Sequence, residues 1–152
     1  MYLKTHLVVS VFAILVLVNF VNDKFIFALV VLISTLIPDI DTKNSKVGKY
    51  KIFRPLQFFL GHRGPVHSFS FLILISILLI FWKPVIALGF FVGFSLHLIF
   101  DSFTQMGIYP FWPLKKRWKW FIKTGGRIEN FIFSLFLVVD LVLFFSLFID
   151  VF

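Results

Sequence analysis

The chain contains no cysteine and little acid: seven Asp and Glu stand against fifteen Lys and Arg in 152 residues. The first absence excludes disulfides and thiolate metal ligands, so any metal would have to be held by His, Asp and Glu. The second leaves a net charge of +8, which in a soluble protein points to nucleic acid. There is no Gly-rich phosphate loop, no Ser-His-Asp order and no zinc-protease helix motif. There is also no polar linker between separately patterned halves, no internal repeat and no low-complexity tract. The whole of 1–152 therefore reads as one domain.

What the sequence has in excess is apolar surface. Hydrophobic residues make up 60% of the chain, 24 of them Phe, against roughly 45–50% in soluble domains. A bilayer is the expected solvent. Apolar runs from Leu7 to Val21, Phe25 to Ile37, Phe69 to Trp82, Val85 to Phe100 and Phe131 to Phe152 are too long for typical strands. The turns Asn22-Asp23-Lys24 and Lys83-Pro84 divide them. The fold class that follows is all-α, an integral membrane bundle of about five short helices. Lys4 ahead of the first run is reminiscent of a signal peptide, but no small-residue cleavage site follows, and an uncleaved first span is expected.

In a membrane protein the positive charge has another meaning. Five spans put the N-terminus, the stretch from Pro38 to His67 and the stretch after Asp101 on one side, which then holds thirteen of the fifteen basic residues; only Lys24 and Lys83 lie opposite. The positive-inside rule makes that side cytoplasmic in the cell (inner) membrane. Membrane lipids, and not nucleic acid, are the expected partners. Several runs give only roughly 20–24 Å of helix, short of a hydrocarbon core of about 30 Å, so flanking polar residues must sit at headgroup depth.

Those flanking residues carry the candidate chemistry. All four histidines lie at the cytoplasmic end of an expected helix: His6 enters the first, His62 and His67 enter the third, and His97 ends the fourth. Asp39 and Asp41 leave the second, Asp101 leaves the fourth, and Glu129 enters the fifth. Convergence of this kind is what a metal site between helices requires. His97 and Asp101, four apart, share a helix face and suit chelation or a structural hydrogen bond. Pro65 fits the first turn of the third helix, with His62 in the loop before it, and this break lets both imidazoles point inward. Pro38 ends the second helix, and in extended chain Asp39 and Asp41 project to one side, although Asp is also an ordinary turn residue. Glu129 suits ligation or an acidic first-turn position favoured by the helix dipole. Asp140 falls within an apolar run, where a protonated aspartate hydrogen-bonded inside the bundle is the expectation.

Thr5-His6, Ile37-Pro38-Asp39-Ile40-Asp41, His62-Arg63-Gly64-Pro65-Val66-His67-Ser68 and Gly93-Phe94-Ser95-Leu96-His97-Leu98-Ile99-Phe100-Asp101 occur in that order. In these segments, and in the later Thr104, Gly107 and Pro113, the chain resembles the YdjM-like family of LexA-regulated, inner-membrane metal-dependent hydrolases, itself similar to zinc-dependent phospholipase C. The resemblance implies an α-helical membrane hydrolase using His6, Asp39, Asp41, His62, His67, His97, Asp101 and Glu129 around one or more metals. Gly125 stands where the phospholipases carry the histidine of a late H-x-x-x-E, which argues against a full three-metal site.

The expected function is hydrolysis of a phosphoester in a lipid or lipid-linked substrate. A mixed His and carboxylate shell suits one or two Zn²⁺ ions, or Mn²⁺ or Fe²⁺. Asp39 or Asp41 is the expected proton acceptor, and Arg63 suits either a contact to the substrate phosphate or simple headgroup binding in a basic loop. A metal-binding transporter or a non-catalytic membrane scaffold is the rival. Transport would favour polar residues at mid-membrane depth, where only Asp140 fits; a scaffold would keep the metal as a closed structural clamp.

Overall fold

In hydrocarbon a backbone N–H finds no water, so an isolated apolar segment satisfies its own hydrogen bonds by coiling. The computed structural model of the chain, which describes residues 1–41, 48–54, 57, 64–114 and 116–149, is helical wherever the apolar runs fall. The helices are α1 (Leu3–Leu17), α2 (Lys24–Leu36), α3 (Phe69–Trp82), α4 (Pro84–Ser102) and α5 (Arg127–Ile149). No strand occurs among the described residues.

Local chemistry fixes the ends. Ser68 caps α3, its hydroxyl accepting from the Phe71 N–H at 3.2 Å. Pro84 opens α4, where no N–H partner is needed, so α3 and α4 form a tight hairpin. Lys83 in that turn lies 3.3 Å from Asp23, between α1 and α2, which brings both turns to one end of the bundle.

α4 packs between α2 and α3, while α1 touches α2, α4 and α5. The α2–α4 approach is set by glycine. A Cβ on Gly93 would lie 2.2 Å from the Val31 carbonyl and 2.3 Å from Ser34 Oγ, and one on Gly89 would lie 3.1 Å from the Phe27 carbonyl. Two glycines four apart thus let the backbones nearly touch. Val66, Leu72, Phe90, Phe94, Leu98 and Ile108 form the apolar core.

The outer faces of α3 and α5 expose Ile73, Leu74, Ile77 and Leu78, and Leu137, Val138, Leu141 and Val142. An apolar belt of this kind on a folded chain is lipid-facing surface. Three segments are long and apolar enough to cross a membrane: Leu3–Phe20, Pro84–Ser102 and Arg127–Leu147. α2 and α3, of 13 and 14 residues, reach only about 20 Å.

Three local expectations change. Pro38–Asp41 is a 3-10 turn and not extended chain; at about three residues per turn, positions two apart no longer project to one side. Pro65–His67 is a separate 3-10 turn, and α3 starts only at Phe69, because Ser68 takes the extended conformation of a cap. The basic stretch after α4 is a ribbon: Ile108 and Trp118 exchange N–H···O bonds of 2.8 and 2.9 Å, and Thr104 pairs with Ile122. Gly107 turns it at φ +57.

Candidate metal centre

His6 sits in the first turn of α1 and His97 in the last turns of α4, yet their rings stack with centroids 4.0 Å apart and planes 7° from parallel. Asp101, one turn beyond His97, faces both. Its Oδ1 lies 3.3 Å from His6 Nε2 and its Oδ2 3.7 Å from His97 Nε2. His67 joins from the turn before α3, with Nε2 3.9 Å from the same Oδ2 and its ring edge-on to His97 at 5.6 Å. The Met1 α-amino group hydrogen-bonds Asp101 Oδ1. The ligand atoms of His6, His97 and Asp101 all lie within 4.8 Å of one another, and all three residues are buried. At 3.7 Å the His97–Asp101 approach is too long for a hydrogen bond. It fits two ligands aimed at a shared point.

The orientation of His97 is built in. Its Nδ1 lies 2.8 Å from the Thr35 carbonyl; an N–H there leaves the Nε2 lone pair turned toward Asp101. Thr35 is itself tied down, its Oγ1 2.7 Å from Ser10 Oγ and donating to the Val31 carbonyl at 2.8 Å. Among the described residues, His97 Nε2 and both ring nitrogens of His6 are buried without a hydrogen-bond partner. Each such group costs about 1–3 kcal/mol if left so. Orphaned imidazole nitrogens around a carboxylate are a donor set that fits a divalent ion, and the group can hold one.

Of the other expected site residues, Asp39 comes close enough to His6, Asp101 and His67 to sense their charge. Burial raises its carboxyl above the usual carboxylate value; His6 opposes this, Asp101 adds to it and His67 opposes it. Asp41 closes the same 3-10 turn and is described in its backbone alone. His62 and Arg63 lie outside the described residues. Glu129 is fully buried but otherwise engaged. Its Oε1 accepts from the Tyr2 N–H at 2.5 Å and the Thr5 hydroxyl at 2.9 Å, and its Oε2 from the Gly125 N–H at 2.6 Å. These bonds clamp the start of α1 to the start of α5, and Glu129 is not grouped with His6, His97 and Asp101. Asp140 is buried on α5, and neither carboxylate oxygen has a hydrogen-bond partner among the described residues.

A family model described as YdjM inner membrane protein matches residues 1–149. The chain belongs to the YdjM family. Among its relatives, the Bacillus subtilis protein YvsG, named as uncharacterized, is 31% identical over 108 residues, 67% of this chain and 68% of YvsG. The Escherichia coli inner membrane protein YdjM is 30% identical over 115 residues, 66% of this chain and 58% of that protein. The Shigella flexneri YdjM matches equally. No solved structure matches the chain. It is thus a member of an inner membrane protein family, with helices able to span the bilayer.

In this YdjM-family chain the residues that sequence reasoning missed are those supporting the ligands. Ser10 and Thr35 look like incidental hydroxyls in apolar runs. The signal that could have found Thr35 is Gly89-x-x-x-Gly93, a close-approach motif that marks the α4 face on which α2 must lie.

Proposed function

We propose that the chain is a membrane-bound, metal-dependent hydrolase that cleaves a phosphoester of a lipid or lipid-linked substrate. One observation carries the reading: two stacked, buried imidazoles with orphaned nitrogens meet a carboxylate at the end of an apolar bundle. His6, His97 and Asp101 would hold the ion, with His67, Asp39, Asp41 and His62 completing the shell or a second position. Zinc suits this set best, with Mn²⁺ or Fe²⁺ as alternatives. A bound ion supplies Lewis acidity, making water a stronger acid and polarising a phosphoryl oxygen.

The chain's own groups do the rest. Asp39, with a carboxyl raised by burial, takes the proton of the attacking water, with Asp41 as the alternative acceptor. Arg63 binds the phosphate through charge-assisted hydrogen bonds. The water oxygen bonds to phosphorus, the ester P–O bond breaks, and the leaving alcohol takes up a proton. The basic side of the bundle faces the cytoplasm by the positive-inside rule, and an anionic amphiphile reaches a site at headgroup depth along the bilayer.

Purified protein with added Zn²⁺ is expected to hydrolyse a phospholipid or isoprenoid phosphate in mixed micelles. Asp41→Asn and His67→Ala should abolish turnover with helicity intact. Hydrolysis that needs no metal, or that is confined to soluble peptides or nucleotides, would sink the proposal. A structural clamp would instead bind the ion with no turnover and no change in the cobalt-substituted spectrum on adding phosphate.

A further inference from the structure

Between Asp101 and Glu129 the chain carries six basic residues and no acidic one. This segment is the ribbon closed by the Ile108–Trp118 and Thr104–Ile122 pairs, and it has two unlike sides. Thr104, Ile108 and Ile122 are buried, with Ile108 in the bundle core. The Pro110 carbonyl accepts from the Phe69 N–H at 2.8 Å, and Thr104 Oγ1 donates to the Asp101 carbonyl at 2.7 Å, fixing the ribbon over the metal-centre end. The other side is aromatic and cationic. Trp120 is 59% and Phe121 60% exposed, and Phe111, Trp112 and Trp118 are exposed with them. Their rings meet edge to face, Phe111 with Trp118 and Trp120 with Phe121, each at 5.8 Å. Lys116, Lys119 and Lys123 are exposed between and beside them.

We propose that this ribbon is a docking surface for anionic lipid headgroups, lying in the interface on the metal-centre side. In water, five exposed aromatic rings on a folded loop would cost free energy; at a headgroup layer their apolar bodies are buried and their polar edges stay wet. The unrelieved positive charge selects an anionic layer over a zwitterionic one. The opposite end of the bundle carries far less charge: Phe20, Phe81 and Trp82 are exposed there, but Lys83 is paired with Asp23 at 3.3 Å, which leaves Lys24 beside them, its ammonium on the Asn19 side-chain carbonyl. The two ends therefore differ in headgroup preference, and the ribbon would gather anionic lipid beside the metal centre whether or not that centre is catalytic.

The test uses the full chain in phosphatidylcholine vesicles, with Trp82 and Trp112 replaced by Phe so that Trp118 and Trp120 report. Brominated phosphatidylglycerol and brominated phosphatidylcholine are compared as quenchers at equal mole fraction. Quenching by the anionic lipid should be at least about twofold the stronger, with the difference shrinking in high salt. Lys116→Gln, Lys119→Gln and Lys123→Gln together should erase it with helicity unchanged, and the matching Arg substitutions should keep it. Trp82 as the lone reporter should show no preference. Equal quenching by the two lipids, or water-like emission immune to both, would overturn the proposal, as would a preference that survives the Gln changes. Turnover is not read, so this result and the hydrolase assay fail separately.

Discussion

Asp101 Oδ1 lies 3.3 Å from the Nε2 of His6, a residue on a different helix and 95 positions earlier in the sequence. With Oδ2 of the same carboxylate 3.7 Å from His97 Nε2, the carboxylate and the two imidazoles together form a donor set for a cation.

Zinc titration should therefore raise the melting temperature of the purified protein in detergent. A ligand present at about one hundred times its Kd adds about 2.7 kcal/mol to the native state. His97→Ala and His6→Ala should each weaken zinc binding by at least about tenfold, read by elemental analysis after dialysis against a weak chelator. Full zinc retention in both variants would show that the ligands lie elsewhere.

Gly93→Ala tests the approach of α2 and α4. The added carbon meets a carbonyl and a hydroxyl at under 2.5 Å, so the helices must part, at a cost of about 1–3 kcal/mol. Because the Thr35 carbonyl orients His97 across this same contact, zinc affinity should fall with stability. Gly89→Ala, with 3.1 Å clearances, should be milder in both thermal melts and zinc titrations. Equal effects would mean the contact is looser than described.

Glu129→Gln separates a clamp from a ligand. The variant loses charge-assisted bonds to Tyr2, Thr5 and Gly125, each worth about 1.5–3 kcal/mol when the acceptor is charged. A lower melting temperature with unchanged metal content at saturating zinc is expected. Loss of stoichiometric metal at saturation would make Glu129 a ligand.

The Asp39 carboxyl is held above its ordinary value, chiefly by burial, so the metal-free protein favours its neutral form. That contribution to apo stability is complete below the unfolded value and is lost as pH rises through the raised folded value. Metal requires the carboxylate, so zinc affinity should climb over the same window, with proton release seen by calorimetry in buffers of different ionisation enthalpy. Asp39→Asn should remove that proton and flatten the climb. An unchanged profile in the variant would exclude Asp39 from the linkage.

The five helices were legible because an apolar run long enough for a helix has few other fates in a bilayer. Two of their starts lie well ahead of the runs. α1 begins at Leu3 and α5 at Arg127, ahead of the apolar runs, because Thr5, His6 and Glu129 are polar yet face inward, and a hydropathy pattern reads inward-facing polar residues as loop. Spacing made His97 and Asp101 legible as a pair, and the breaks at Pro38 and Pro65 marked where Asp39 leaves α2 and where His67 sits in the turn ahead of α3. The stacking of His6 on His97 depends on how α1 leans on α4, which spacing within one segment does not encode. The same holds for the ribbon, whose pairing joins Thr104 to Ile122 across the basic stretch.

The clamp at Glu129 has a consequence for biogenesis. Thr5 and Glu129 are 124 positions apart in sequence, so a ribosome has made α1 long before the residue that fastens it exists. Until α5 enters the bilayer, the helix bearing His6 lacks this fastening and is held by its contacts with α2 and α4. A nascent chain stalled before α5 should accordingly be loosely assembled and open to membrane proteases. The last helix to be inserted, and the one least buried by its neighbours, acts as the latch that completes assembly.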